Sequence, residues 1–189
     1  MQSIKYFKSG GNNIPLPVFF PDATRAVVRC LDTSDLTETK TLGILVNTFH
    51  LWRELGKDVL KKFGGIGNFM DWHGGIISDS GGFQVMSVIK SGVMKGKVID
   101  DGVIFYPSKN KKITLTPEKS IQFQMDLKTD MVIVLDDFTD PKVGYEEAKI
   151  SVIRTIAWAK RSKDEFIKIC KKNKISKNDK PYILGVIQG

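Results

Sequence analysis

Ile76-Ile77-Ser78-Asp79-Ser80-Gly81-Gly82-Phe83-Gln84 is an apolar run that ends in an acid, opens into two glycines, and continues at once into an aromatic and an amide. A carboxylate at the mouth of a buried strand, next to backbone with no Cβ to hold a ligand off, suits a flat polar molecule. The same grammar recurs downstream. Met131-Val132-Ile133-Val134-Leu135 ends in Asp136-Asp137, and Tyr182-Ile183-Leu184-Gly185-Val186-Ile187 ends in Gln188-Gly189. Gly43-Ile44-Leu45-Val46 ends in Asn47. Continuous apolar runs of this length predict strands buried on both faces.

Helical patterns lie between the runs. Thr116-Pro117-Glu118 combines a hydroxyl cap, proline at the first helical position and an acid in the first turn, and predicts a helix to about Leu127. Tyr145 to about Lys172 predicts a longer helix, with Ala148, Val152, Ile156 and Ala159 as its apolar stripe. Residues 1 to about 30 read as short strands and turns punctuated by Pro15, Pro17 and Pro21. Val103-Ile104-Phe105-Tyr106 and Lys112-Ile113-Thr114-Leu115 flank Ser108-Lys109-Asn110-Lys111 and predict a β-hairpin. Residues 171 to 180 hold five lysines and read as a solvated loop.

Strand and helix in alternation predict an α/β fold with a parallel sheet. The polar strand ends Asn47, Asp79, Asp136 and Gln188 are separated by 32, 57 and 52 residues. A (β/α)8 barrel averages about 31 residues per unit. The first interval fits; the inserted hairpin stretches the second, and the long helix with its lysine loop stretches the third. Four such strands are half of a closed barrel, and the chain ends directly after one of them. The expected architecture is therefore the first half of a (β/α)8 TIM-type barrel, with an N-terminal β region and an inserted hairpin. Residues 1–189 are read as the N-terminal part of one catalytic barrel domain.

Composition narrows the class. With 189 residues, 41% of them hydrophobic and 26% charged, the chain can bury a sizeable core and has an ordinary globular balance. No apolar run reaches membrane-span length, and Met1 to Lys8 lacks the apolar core of a signal peptide. Cys30 and Cys170 match no metal spacing. The expectation is a cytoplasmic protein with no membrane partner. Its net charge of +8 favours a polyanion, or reflects a solvated lysine-rich surface.

Asp79-Ser80-Gly81-Gly82-Phe83-Gln84-Val85 resembles the signature of the tRNA-guanine transglycosylases, also called queuine tRNA-ribosyltransferases. Further stretches resemble the family in the same order: Asn47-Thr48-Phe49-His50-Leu51, Phe69-Met70-Asp71-Trp72, Leu115-Thr116-Pro117-Glu118, Leu135-Asp136-Asp137 and Gly185-Val186-Ile187-Gln188-Gly189. The resemblance runs from about Pro17 to the last residue. It implies a pentosyltransferase that exchanges the wobble guanine of tRNA for a 7-deazaguanine in queuosine-type modification. It also implies a TIM barrel with a structural zinc and a covalent tRNA intermediate on an Asp nucleophile; half a barrel leaves two sheet edges unpaired, so a dimer or pairing with a C-terminal half is expected. Carried onto this sequence, Asp79 is the general acid/base. Phe83 stacks on the base, and Asp136 and Gln188 bind its polar edge. Ser80, Gly81, Gly82 and Gly189 complete the substrate-binding set.

Two departures accompany the resemblance. The family's nucleophilic Asp and its Cys/His zinc ligands belong to later strands that have no counterpart in these 189 residues. After the base-binding Asp, many bacterial members have Glu-Cys, where this chain has Asp137-Phe138. Two other readings stand beside the leading one: a non-catalytic tRNA-binding partner subunit, and a base-exchange enzyme for DNA or other RNA.

The residues taken singly also have plainer readings. Asp79 before Ser-Gly-Gly can cap a turn, and Asp136-Asp137 can cap a helix or bind a metal. Phe83 can be core, and His50 and His73 can be structural or exposed.

Overall fold

Parallel strands need long crossovers, because each chain must return to the same end of the sheet before it can pair again. A computed structural model of the protein, which describes residues 5–9, 12–108, 111–140 and 142–188, shows those crossovers. A short antiparallel pair, β1 (Tyr6–Ser9) and β2 (Asn12–Pro15), precedes α1 (Thr33–Glu38). β3 (Gly43–Val46) then leads through α2 (Thr48–Glu54), α3 (Gly56–Phe63) and α4 (Ile66–Met70) to β4 (Gly75–Ser78). After β4 come α5 (Gly82–Lys90), β5 (Lys95–Ile99), β6 (Gly102–Ser108), β7 (Lys111–Leu115) and α6 (Pro117–Leu127). β8 (Met131–Ile133), α7 (Tyr145–Lys172) and β9 (Tyr182–Leu184) complete the described chain.

The main sheet has the order β3-β4-β8-β9, with β3 on β4 and β4 on β8 parallel. The β8–β9 bonds, Tyr182 N–H to the Asp130 carbonyl and Val134 N–H to the Leu184 carbonyl, advance in the same direction along both strands. The fold is thus mixed α/β on a parallel sheet, and among the described residues no pairing closes that sheet on itself. A second sheet, β5-β6-β7, is antiparallel and contains the expected hairpin. The middle of its turn, residues 109–110, lies outside the described residues, as does Gly189.

The chain forms two compact units. The first comprises residues 1–79, 123–132 and 175–182; the second comprises 80–122, 133–174 and 183–189. The core of the first gathers Leu36, Ile44, Val46, Leu51, Leu60, Ile66 and Leu127, all buried. Several polar groups inside it are paired with one another. Ser78 Oγ bonds Gln124 Oε1 at 2.9 Å and Thr129 Oγ1 at 2.8 Å, and Asp130 accepts the Ile76 N–H at 2.8 Å. In the second unit Val85, Met86, Val103, Phe105, Leu135, Trp158 and Phe166 are buried.

Two expectations are corrected. The run Tyr182–Ile187 is not a strand buried on both faces: β9 stops at Leu184, and Tyr182 and Leu184 are 43% and 42% exposed. Among the described residues β9 stands last in the sheet order and has one neighbouring strand. The stripe Ala148, Val152, Ile156, Ala159 is not the buried face of α7. Ser151, Thr155, Trp158, Ser162, Phe166 and Cys170 are buried, while Ile156 is 65% exposed. Ser151 and Thr155 turn inward where they bond to backbone, Ser151 donating to the Asp137 carbonyl. Thr155 Oγ1 accepts the Asp137 N–H at 2.9 Å, and Trp158 Nε1 donates to the Asp100 carbonyl at 2.6 Å.

Candidate functional site

Asp79 follows β4, and its position is set by the residues that follow β3. Its N–H donates to the Val46 carbonyl at 3.2 Å, which extends the β3–β4 ladder by one bond. Its carboxylate accepts from Asn47 Nδ2 at 2.7 Å and from the Thr48 N–H at 3.0 Å, and its carbonyl accepts from the Thr48 hydroxyl. Asn47 is itself the N-cap of α2, its Oδ1 accepting the His50 N–H at 3.1 Å. One asparagine therefore starts a helix with its oxygen and grips the acid with its nitrogen. Two donors from one turn thus fix the orientation of the carboxylate.

The second unit gathers the other candidates. Gly81 has φ 73°, a left-handed conformation that glycine adopts without strain, and it turns the chain into α5. Gly82 is required by proximity. A Cβ there would lie 2.5 Å from Leu135 Cδ1 and 3.5 Å from the Asp136 carbonyl oxygen, so the start of α5 adjoins the end of β8. Ser80 is buried. Its hydroxyl oxygen accepts the Gly82 N–H at 3.2 Å and its carbonyl accepts from Ser120 Oγ at 2.9 Å. Phe83 is 49% exposed and meets Phe138 edge-on, with ring centroids 4.8 Å apart. Lys90 reaches over the Phe138 ring and donates to the Phe138 carbonyl at 3.1 Å.

Asp136 and Gln188, 52 residues apart in sequence, are brought together: Gln188 Nε2 donates to an Asp136 carboxylate oxygen. Burial pushes the Asp136 carboxyl above the ordinary aspartate range, and the neighbouring Asp137 charge adds to this. The Gln188 hydrogen bond pulls the other way without cancelling the effect.

Sequence reasoning paired Asp137 with Asp136 as a metal or capping group. The structure gives Asp137 a different task. It is buried, and one face of α7 holds it through three residues. The Ser151 hydroxyl donates to its carbonyl, Thr155 Oγ1 accepts its N–H, and Arg154 donates to its carboxylate at 2.5 Å. Arg154 also pairs with Asp100 at 3.1 Å. The signal was present in the sequence as Ser151, Arg154 and Thr155 at helical spacing, but such residues also mark a solvated face. Asn47 and Thr48, read as a strand end, likewise proved to be the direct partners of Asp79.

The histidines stay outside these clusters. His73 is exposed beside Asp71, and His50 Nδ1 lies 3.7 Å from Glu54. Among the described residues no group of three His, Cys, Asp or Glu could hold a metal ion. Cys30 is exposed and Cys170 is buried, so the donor set among the described residues does not fit a structural zinc. No helix among the described residues is long and apolar enough to cross a membrane.

Comparison with known proteins gives consistent results. The family model described as Queuine tRNA-ribosyltransferase matches residues 5–189. A protein of that name from Baumannia cicadellinicola is 37% identical over 93% of this chain and 45% of its own length. The Aeromonas hydrophila protein of that name is 38% identical over 93% of this chain and 44% of its own length. The Haemophilus influenzae protein is 36% identical over 95% of this chain and 44% of its own length. The chain spans about half the length of the curated relatives it matches.

Proposed function

The chain belongs to the queuine tRNA-ribosyltransferase family, and we propose that it carries the base-recognition and proton-transfer half of a tRNA-guanine transglycosylase. The observation that carries the proposal is the Asp136–Gln188 pair, with the Gly81-Gly82 turn and Phe83 gathered in the same unit. A flipped guanine needs acceptors for N1–H and its exocyclic amine, a polar partner for O6, and an aromatic platform. Asp136 supplies the acceptors, Gln188 an amide that can donate or accept, and Phe83 the platform. The four strand-end residues make the first half of a (β/α)8 barrel the architecture that best accounts for this arrangement, since such barrels bind at the carboxyl ends of their strands.

Base exchange breaks the bond between C1′ and the purine and later remakes one, so each departing or arriving base must gain or lose a proton. Asp79, held by Asn47 and Thr48, is assigned that proton. Attack at C1′ requires a further carboxylate, as in retaining glycoside hydrolysis. That nucleophile and the family's zinc are assigned to sequence other than these 189 residues, and no step here is routed through the metal. The substrates on this reading are tRNA and guanine or a 7-deazaguanine, in the cytoplasm. The assembly is a dimer or a pairing with the remainder of the barrel.

The test is made in the complete enzyme containing this chain. Asp136→Asn would set an amide donor against a donor on guanine. Mispairing a buried polar group costs about 1–3 kcal/mol, so base affinity falls about ten- to a hundredfold. Asp79→Asn keeps tRNA affinity and lowers turnover by about 10²–10⁴. Normal turnover by Asp79→Asn, or parental base affinity in Asp136→Asn, would overturn the assignment. The 189-residue chain alone is expected not to exchange labelled guanine into tRNA.

A further inference from the structure

The three-stranded sheet β5-β6-β7 has two unlike faces. Gly96 lies opposite Phe105, and a Cβ on Gly96 would sit 2.4 Å from Ile89 of α5, so α5 covers that face. The opposite face carries Lys95 and Lys97 at alternate positions of β5. Lys95 is paired with Tyr106 and Lys97 with Ile104, while Ile104 is paired on its other side with Thr114. Lys112 stands two residues before Thr114 on β7 and so shares this face. Lys95, Lys97 and Lys112 are exposed, and Tyr106 is 40% exposed among them.

The acids near this face are already taken. Residues 80–122 hold seven lysines and three acids, Asp100, Asp101 and Glu118. Each acid meets an arginine of α7: Asp100 pairs with Arg154 at 3.1 Å, Asp101 with Arg161 at 3.8 Å, and Glu118 with Arg161 at 2.7 Å. Among the described residues no carboxylate pairs with Lys95, Lys97 or Lys112. An ordinary soluble surface intersperses both signs. Here α7 neutralises the negative charge of the segment, and the sheet keeps a face of one sign around an aromatic ring.

We propose that the Lys95–Lys97–Lys112 face of this sheet, with the half-exposed Tyr106 beside Lys95, is a docking surface for the phosphate backbone of the substrate RNA. Lysines around an exposed aromatic fit a polyanion whose bases can stack, and a rigid sheet holds them in fixed register. The proposal rests on the tRNA reading above but concerns a surface distinct from the base-binding residues.

The experiment measures binding of a fluorescein-labelled tRNA transcript to the full 189-residue chain across a salt series, with free guanine binding followed in parallel. The triple variant Lys95→Glu, Lys97→Glu, Lys112→Glu is compared with Lys171→Glu, Lys172→Glu, Lys177→Glu. Both variants change the net charge equally. The first is expected to weaken tRNA binding at least about tenfold and to flatten the salt slope by about 0.7–0.9 for each phosphate no longer neutralised. The second is expected to weaken it less than about threefold, and guanine binding should change in neither. Equal losses in the two variants would reduce the effect to net charge and overturn the surface. So would an unchanged first variant, or a parent chain that binds guanine but no tRNA. A parent that binds tRNA but not guanine would count against the base-recognition reading and leave this surface standing.

Discussion

The Asp79 carboxylate takes hydrogen bonds from Asn47 and from the Thr48 N–H, while the Asp136 carboxylate is buried beside a second acid with the Gln188 amide as its donor. Both acids follow an apolar strand, and the sequence around them reads alike. The first is held in place by donors from the turn that follows β3. The second is buried beside another acid, where its charged form is disfavoured. The contrast shows that two strand-end acids with like sequence surroundings acquire different partners and different burial according to what the fold brings to them.

The contrast can be broken most forcefully through the support of Asp136. Arg154→Ala would leave the Asp137 carboxylate buried without its cation, and removing one partner of such a pair costs about 3 kcal/mol. Unfolding followed by the fluorescence of buried Trp158, which lies in the same unit, would read the loss. An unchanged midpoint would mean that Ser151 and Thr155 hold the segment without Arg154.

The next effect is on Asp79. Asp79→Asn keeps the shape but replaces charge-assisted bonds with neutral ones and turns a donor toward Asn47, a loss of about 1–2 kcal/mol. A variant as stable as the parent would show that the Asn47 and Thr48 contacts add nothing to stability.

The smallest effect has the opposite sign. The folded-state pKa of Asp136 is raised, so its charged form is disfavoured in the fold and costs stability at neutral pH. Asp136→Asn should therefore raise the neutral-pH melting temperature, by about 1–2 °C. The gain should vanish as the pH falls below the ordinary aspartate value of 3.8, where the acid is protonated in both states. A loss at neutral pH would show that the Gln188 bond outweighs burial. By the same sign, base affinity in the complete enzyme should weaken as the pH falls through the raised Asp136 value, because the acceptor takes up a proton.

Much of this was legible along the chain. The helix from Pro117 to Leu127 and the one from Tyr145 to Lys172 follow from cap, proline and periodicity, signals carried by neighbouring residues. The polar strand ends at Asn47, Asp79, Asp136 and Gln188 were equally visible, because an apolar run that stops at a polar residue is a local pattern. The short helices α1 to α5 were not named from sequence. They are 5 to 9 residues long, too short for periodicity to stand out.

The buried face of α7 escaped the reading for a different reason. Hydrophobic periodicity marks Val152 and Ile156, but Ser151 and Thr155 point inward because backbone donors and acceptors of Asp137 meet them there. Sequence by itself determined which residues have the chemistry: two acids after apolar strands, a glycine pair beside one of them, an amide after the last strand, and lysines around a hairpin. Tertiary structure decided what each does. Only folding brings Asn47 to Asp79 across 32 residues and Gln188 to Asp136 across 52, and those meetings fix the partners of each carboxylate while burial disfavours the charge of Asp136.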